Sequence, residues 1–373
     1  MTFRHLIVWA LLASATACGD PTGIDDDAPF PSGADTVTIK ENRGLLVLSG
    51  ASVDFSGQPD WAFVGNGSAF VAKRWFPDRG VWFVDPDANR SVELIEGPDV
   101  IQQVKWASGA ERVYVSEFNR IQSIAVDGSA PLDHTDDTDG RFLVSPNGRL
   151  LLHDRFVPAG STPWSLIDYT RDTVVDMPSN DYLALFDTHL LFLSEDTPGA
   201  LGVWDLESGV ATPVYGLPAT VGPYGPIIGA GGSRSNPTLT LLDVNESGVR
   251  IQHYRGDTTS GTMSVIEVLE VPRDSVYSSP NGTDEVAAAV SADGTTVAMS
   301  VTRERLNLCF GRDTGCPRFH WEIRVADIDS GNTRVVARGA SYWPADELVL
   351  SPTGDRLLYE VDGDLYLVER IRG

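Results

Sequence analysis

Arg74, Arg155 and Arg255 each stand seven residues after a glycine, at Gly67, Gly148 and Gly248. His153 and His253 stand five residues after the last two, on the same face of an extended strand as the arginines because side chains alternate with a period of two. Arg303 follows a further turn of this kind at a slightly longer distance, and Arg305, Phe310, Arg312, Arg318 and Phe319 come next. Trp75 and Phe76 follow the first arginine, and Phe156 the second. Guanidinium forks beside aromatic rings are suited to holding a carboxylate or an acidic peptide through paired hydrogen bonds and ring contacts. The competing reading is that each arginine pairs with a loop carboxylate such as Asp78 or Asp257 and ties the loops together.

Other chemistry finds no support in the sequence. A serine hydrolase needs a nucleophile on a Gly-x-Ser-x-Gly elbow, and that pentapeptide does not occur. A Gly-x-x-x-x-Gly-Lys phosphate loop and a His-Glu-x-x-His zinc motif do not occur either. Gly229-Ala230-Gly231-Gly232 is glycine-rich but does not complete a dinucleotide fingerprint. Asp85, Asp87, Asn89 and Glu96 imitate a calcium loop, but Arg90 stands where that loop requires glycine. No cofactor, metal or catalytic residue is expected.

The elements around these residues are strands. Beyond about Thr36, short runs of Val, Ile, Leu, Phe and Tyr alternate with Gly, Asn, Asp and Pro turns, which is the pattern of an all-β chain. Three turns repeat in one strand context: Ser145-Pro146-Asn147-Gly148, Ser291-Ala292-Asp293-Gly294 and Ser351-Pro352-Thr353-Gly354. A second recurring feature is an apolar strand ending in an acidic residue, as at Val81–Asp85, Ile121–Asp127, Trp164–Asp168, Leu201–Asp205, Met263–Glu267, Ile323–Asp327 and Leu365–Glu369. These read as the third strands of seven four-stranded units, with the acid fixing the next turn by accepting backbone amides. The spacing fits a β-propeller, most simply of seven blades, with six or eight as alternatives. Leu239–Asp243 reads as the first strand of the fifth unit. The last unit stops after its third strand, and a strand near Thr36–Lys40 is expected to complete it and close the ring. In that topology the loops after the second strands share one rim, which would gather the arginines there.

The Ser-x-x-Gly turns, with the Asp327-Ile-Asp-Ser-Gly331 and Asp205-Leu-Glu-Ser-Gly209 hairpins, resemble TolB-type (WD-like) propeller repeats. The resemblance covers nearly everything after residue 36. It implies a propeller that binds proteins, peptides or small ligands, and says little about which.

Residues 1–17 read as a signal peptide: Arg4 and His5 precede an apolar stretch, Leu6 to Ala17, that is too short to span a bilayer. Ala15-Thr16-Ala17-Cys18 then reads either as a lipobox, with Cys18 lipidated, or as an ordinary cleavage site. Residues 18–36, rich in Asp, Gly and Pro, read as a disordered acidic tether, and 37–373 as the propeller. With Cys18 lipidated, Cys309 and Cys316 remain as a disulfide pair, or as two free thiols. Acidic residues outnumber basic ones 52 to 28, for a formal charge of −24. A surface of that sign repels nucleic acid and anionic headgroups. The expectation is therefore a monomeric, non-enzymatic lipoprotein of the bacterial envelope, held at the outer membrane by its lipid alone. It would bind an envelope protein, a peptide or a small ligand. The alternative is an enzyme or sensor with a small-molecule or metal site in the central channel.

Overall fold

The computed structural model describes residues 44–49, 61–65, 67–74, 80–96, 101–117, 119–155, 164–178, 180–193, 197–218, 221, 227–245, 248–272, 286–304, 319–341 and 345–371. Cys18, Cys309, Cys316, Arg305, Arg312 and Arg318 lie outside them. Among the described residues there are twenty-eight strands and no helix. Strand β1 is Leu45–Ser49. The first four-stranded array is β2 (Trp61–Val64), β3 (Ala69–Arg74), β4 (Gly80–Asp85) and β5 (Arg90–Glu96). The second is β6 (Ile101–Ala107), β7 (Arg112–Glu117), β8 (Arg120–Ala125) and β9 (Leu132–Thr135). The third is β10 (Phe142–Val144), β11 (Leu150–Asp154), β12 (Trp164–Asp168) and β13 (Thr173–Met177). The fourth is β14 (Asp181–Leu185), β15 (His189–Leu193), β16 (Ala200–Asp205) and β17 (Ala211–Tyr215). The fifth is β18 (Ile227–Gly232), β19 (Pro237–Asn245), β20 (Gly248–Asp257) and β21 (Thr262–Pro272). The sixth is β22 (Ala288–Val290), β23 (Thr296–Glu304), β24 (Phe319–Asp327) and β25 (Thr333–Ser341). The seventh has β26 (Asp346–Leu350), β27 (Arg356–Val361), β28 (Asp364–Glu369) and, as its outer strand, β1.

Each array is an antiparallel meander, and a single parallel pair, Tyr215 with Thr262, joins the fourth to the fifth. The first strands pack against one another in a closed cycle: β2 on β6, β6 on β10, β10 on β14, β14 on β18, β18 on β22, β22 on β26 and β26 on β2. Apolar clusters fill the spaces between successive arrays. Val71, Val81 and Leu94 of the first meet Val104, Val113 and Val115 of the second, and Phe63 and Phe70 meet Leu358 and Leu365 of the seventh. The architecture is a β-propeller whose ring closes between the first and last described strands.

The recurring turns have a common physical basis. Ser145, Ser291 and Ser351 are buried, and each hydroxyl accepts the amide five residues on, from Leu150, Thr296 and Arg356 at 3.0 Å. Each hydroxyl also donates to a turn side chain, Asn147, Asp293 or Asp355. The glycines have φ near +68°, a region costly for any residue with a Cβ. The acids at third-strand ends behave as turn-formers: Asp85, Asp127, Asp168, Asp205 and Asp327 each accept a backbone amide two or three residues on.

Two expectations need correction. The closing strand is Leu45–Ser49, paired through Leu45 with Leu367 and Leu48 with Leu365, because Leu-Leu-Val-Leu offers the more apolar strand; Thr36–Lys40 lies outside the described residues. In the fifth array, Leu239–Asp243 belongs to the second strand, β19. The first strand is β18, Ile227-Ile-Gly-Ala-Gly-Gly232, whose glycines hide its strand character. A Cβ at Gly229 would lie 2.1 Å from Val290 Cγ1, so glycine is what lets β22 approach. The third strand is accordingly β20 and its acid is Asp257, which accepts the Thr259 amide at 2.8 Å, not Glu267.

Ser291→Ala leaves the buried Thr296 amide without its hydroxyl acceptor and is expected to cost about 1–2 kcal/mol. Gly148→Ala should cost more, since the new Cβ would sit 2.5 Å from that of Ala110 on a backbone with φ +69°. Urea unfolding at constant m measures both, and wild-type midpoints would refute this account of the turn.

Candidate functional site

The alternation of connections gives the ring two unlike rims. On one rim lie the turns between first and second strands and between third and fourth strands, all short. The other is where second and fourth strands end. The first is called the turn rim and the second the loop rim.

Bonds between neighbouring arrays run along much of the turn rim. Arg356 donates to the carbonyls of Gly67 and Ser68 and pairs with Asp87 at 2.9 Å, joining the seventh array to the first. Gly109 N donates to Pro146 O, and Tyr169 bonds His134 Nδ1 at 2.7 Å, joining the second to the third. Asn147 N donates to Asp187 across the next junction. Arg234 pairs with Asp205, Arg255 with Asp329, and Asp293 N donates to Pro352 O across the following three.

The loop rim of the third array holds a different arrangement. Arg141, Asp154, Trp164 and Met177 form a row across its strand ends. The buried Asp154 accepts from Thr138 Oγ1, from the amides of Asp139 and Arg141, and from Arg141 Nε at 3.4 Å. Burial pushes its carboxyl up, opposed by the Thr138 bond and by Arg141. The Arg141 guanidinium lies over the Trp164 ring at 5.1 Å and its side chain is 62% exposed. Its two terminal nitrogens have no partner among the described residues. Asp181 stands nearby, its carboxyl raised by burial and lowered by Arg141. A guanidinium supported by an indole and oriented by a buried carboxylate is set up to receive a second carboxylate edge-on. Arg141 was not among the sequence candidates. It precedes a strand of three residues, and only the cross-strand row reveals its company.

The sequence candidates do not gather on one rim. Arg155 lies at the loop rim and pairs with Asp176 at 3.0 Å. His153 is buried beside it and donates Nδ1–H to Asp154 O at 2.9 Å; burial lowers it, against that bond and Asp154. Arg255 and His253 lie at the opposite, turn rim, because Gly248 opens a third strand and Gly148 a second. Arg255 serves there in the Asp329 pair, and His253 Nδ1 bonds Thr240 Oγ1 at 2.9 Å in the interior. Arg74 and Arg303 end second strands at the loop rim, with side chains outside the description. Among the described residues no group of His, Cys, Asp and Glu could hold a metal ion.

No family model matches the sequence, and no curated protein does. Solved structures do. A chain of the mitotic checkpoint complex is similar with a TM-score of 0.54 at 14% identity, over 93% of this chain and 98% of that one. The WD40 domain of SCAP from fission yeast is similar at 0.51 and 8% identity, over 87% and 96%. A protein assigned as TolB from Agrobacterium tumefaciens reaches 0.42 at 15% identity, over 76% and 95%. The first two likenesses show a shared fold: the chain is a β-propeller.

Burial pulls His134 and His253 down to about 4, helped by Arg112 and Arg255 respectively. The unfolded chain, with histidines near 6.5, binds protons that the folded one refuses, so stability falls as pH drops from 6.5 towards 4. Each ring contributes at most about 3 kcal/mol to that loss. His253→Gln should flatten the decline in urea midpoint between pH 7 and pH 4, and an unchanged slope would contradict the assignment.

Proposed function

We propose that this propeller is an envelope-anchored interaction scaffold, acting by binding and not by catalysis, and that its partner docks on the loop rim. The observation that carries the reading is the contrast between the rims. Several cations of the turn rim pair with neighbouring arrays, whereas the loop rim presents Arg141 on Trp164, oriented by the buried Asp154 and with its terminal nitrogens uncommitted. Arg305, Arg312 and Arg318 fall in the sequence between β23 and β24, whose facing ends are at that rim. The fitting partner is a protein or peptide segment offering a carboxylate to Arg141, with Arg155 exchanging Asp176 for the partner where it also engages. Anchoring would come from lipid on Cys18, with the acidic stretch after it as tether and Cys309–Cys316 clamping the segment between β23 and β24.

Cross-linking in the producing cells, followed by identification of the captured chain, tests the docking. Arg141→Ala should reduce capture at least about tenfold, the size expected for loss of a bidentate pair. Arg255→Ala, on the other rim, should leave capture unchanged at an unaltered melting temperature. Equal loss from both variants, or from neither, would reject the loop rim as the docking face. Anchoring is tested separately: Cys18→Ala should move the protein from the membrane fraction to the soluble one and abolish incorporation of labelled fatty acid. A protein still membrane-bound after that change would have another anchor.

A further inference from the structure

The inner strand of the second array, β6, carries polar groups that the fold leaves unused. Lys105 forms no hydrogen bond or ion pair among the described residues. Its cross-strand neighbour is Tyr114, which packs towards the third array, so the lysine lies on the side of β6 that faces β10. The strands packed on β6 bring it no counter-charge. β2 and β10 carry no titratable side chain, and β3 carries Lys73, whose ammonium donates to Ile101 O at 2.7 Å. On β7, Glu117 stands at the loop-rim end and is engaged by Gln122, while Arg112 lies at the other end. Lys105 is half-buried, and desolvation lowers its amine below the ordinary lysine range.

Gln102, on the same strand, sits at a bulge between Ile101 and Gln103 that breaks the alternation of side chains. Its Oε1 is buried and without a partner. That amide fits only because residue 140 is glycine: a Cβ at Gly140 would fall 1.5 Å from Oε1. Gly140 leads into β10, so Gln102 is directed towards the same gap as Lys105. The remaining inner strands carry half-buried apolar groups that border the clusters between arrays, together with the half-buried acids Asp181 and Glu347. Leu143, Val144, Leu183, Ala184, Ile227 and Ala288 are only half-buried on strands that have other strands on their outer side. A mostly apolar lining with a few convergent polar groups is the usual make-up of a small-molecule site.

We propose that the centre of the ring binds a small organic carboxylate bearing a neighbouring hydroxyl or amine donor, the carboxylate on Lys105 and the donor on Gln102 Oε1. This site borders the loop-rim docking face through Gly140, which precedes Arg141, but its lysine readout tests it independently of partner capture. The chain has only three lysines, Lys40, Lys73 and Lys105, so selective 13C labelling at lysine Cε gives a spectrum in which each is resolved. Lactate is the probe, with acetate lacking the donor and 1,2-propanediol lacking the charge. Lactate at about 10 mM, a concentration suited to a weak millimolar site, should shift the Lys105 signal and raise its titration midpoint. Acetate should act more weakly, and propanediol not at all. Lys105→Met should abolish the lactate response; if that variant does not fold, Gln102→Met should reduce lactate to the level of acetate. A Lys105 signal that is indifferent to lactate, or that moves equally with all three probes, would overturn the proposal.

Discussion

Ring closure is the constraint on which the rest of this molecule depends. A four-stranded array buries its two faces only against neighbours, so a row of arrays is stable when the last meets the first. Here the meeting is made by hydrogen bonding of β1 to β28, which puts the first and last described strands in one sheet. Arg356 reinforces it from the seventh array, reaching two carbonyls and the Asp87 carboxylate of the first. Gly67 belongs to the same junction: a Cβ there would lie 2.7 Å from that of Ser351, so the two turns touch because one lacks a side chain. The strands at the centre then form a closed cycle, and the rims inherit their characters from it. Where first and second strands turn, the short hairpins bond one another at four of the seven junctions.

Much of this was legible because it is local. The Ser-x-x-Gly turns announce themselves through a serine hydroxyl that must cap an amide five residues on and a glycine that must adopt positive φ. Six of the seven third strands end in the anticipated acid, which the turn amides need as an acceptor. The fifth array failed for an equally physical reason. Its inner strand, Ile227–Gly232, is shaped by what β22 brings against it, and glycine chosen for close approach looks like a loop in a sequence. Once that strand was missed, every residue of the array moved one place, and Arg255 and His253 were assigned to the wrong rim. Arg141 was illegible for another reason: its partners Asp154 and Trp164 are on other strands, 13 residues away in the case of Asp154. No spacing rule within one segment could have united them.

Charge links the fold to its use. Of the arginines at the turn rim, Arg234, Arg255 and Arg356 each neutralise a carboxylate on a neighbouring array, so cations there serve as fasteners. In a chain with 24 more acids than bases, spending cations in this way leaves the outer surface strongly negative. Long-range attraction will therefore favour a partner that is basic overall, and the screening length of about 8 Å at physiological salt limits how far that field reaches. Arg141 works on a shorter scale. Its guanidinium is positioned by an indole and a buried carboxylate, so recognition there depends on geometry and desolvation more than on net charge. The two scales are compatible if a basic partner carries one acidic group to the right place, and such an arrangement supplies approach and register from opposite signs of charge. Specificity on this ring would then reside in the few cations that the fold has not already used.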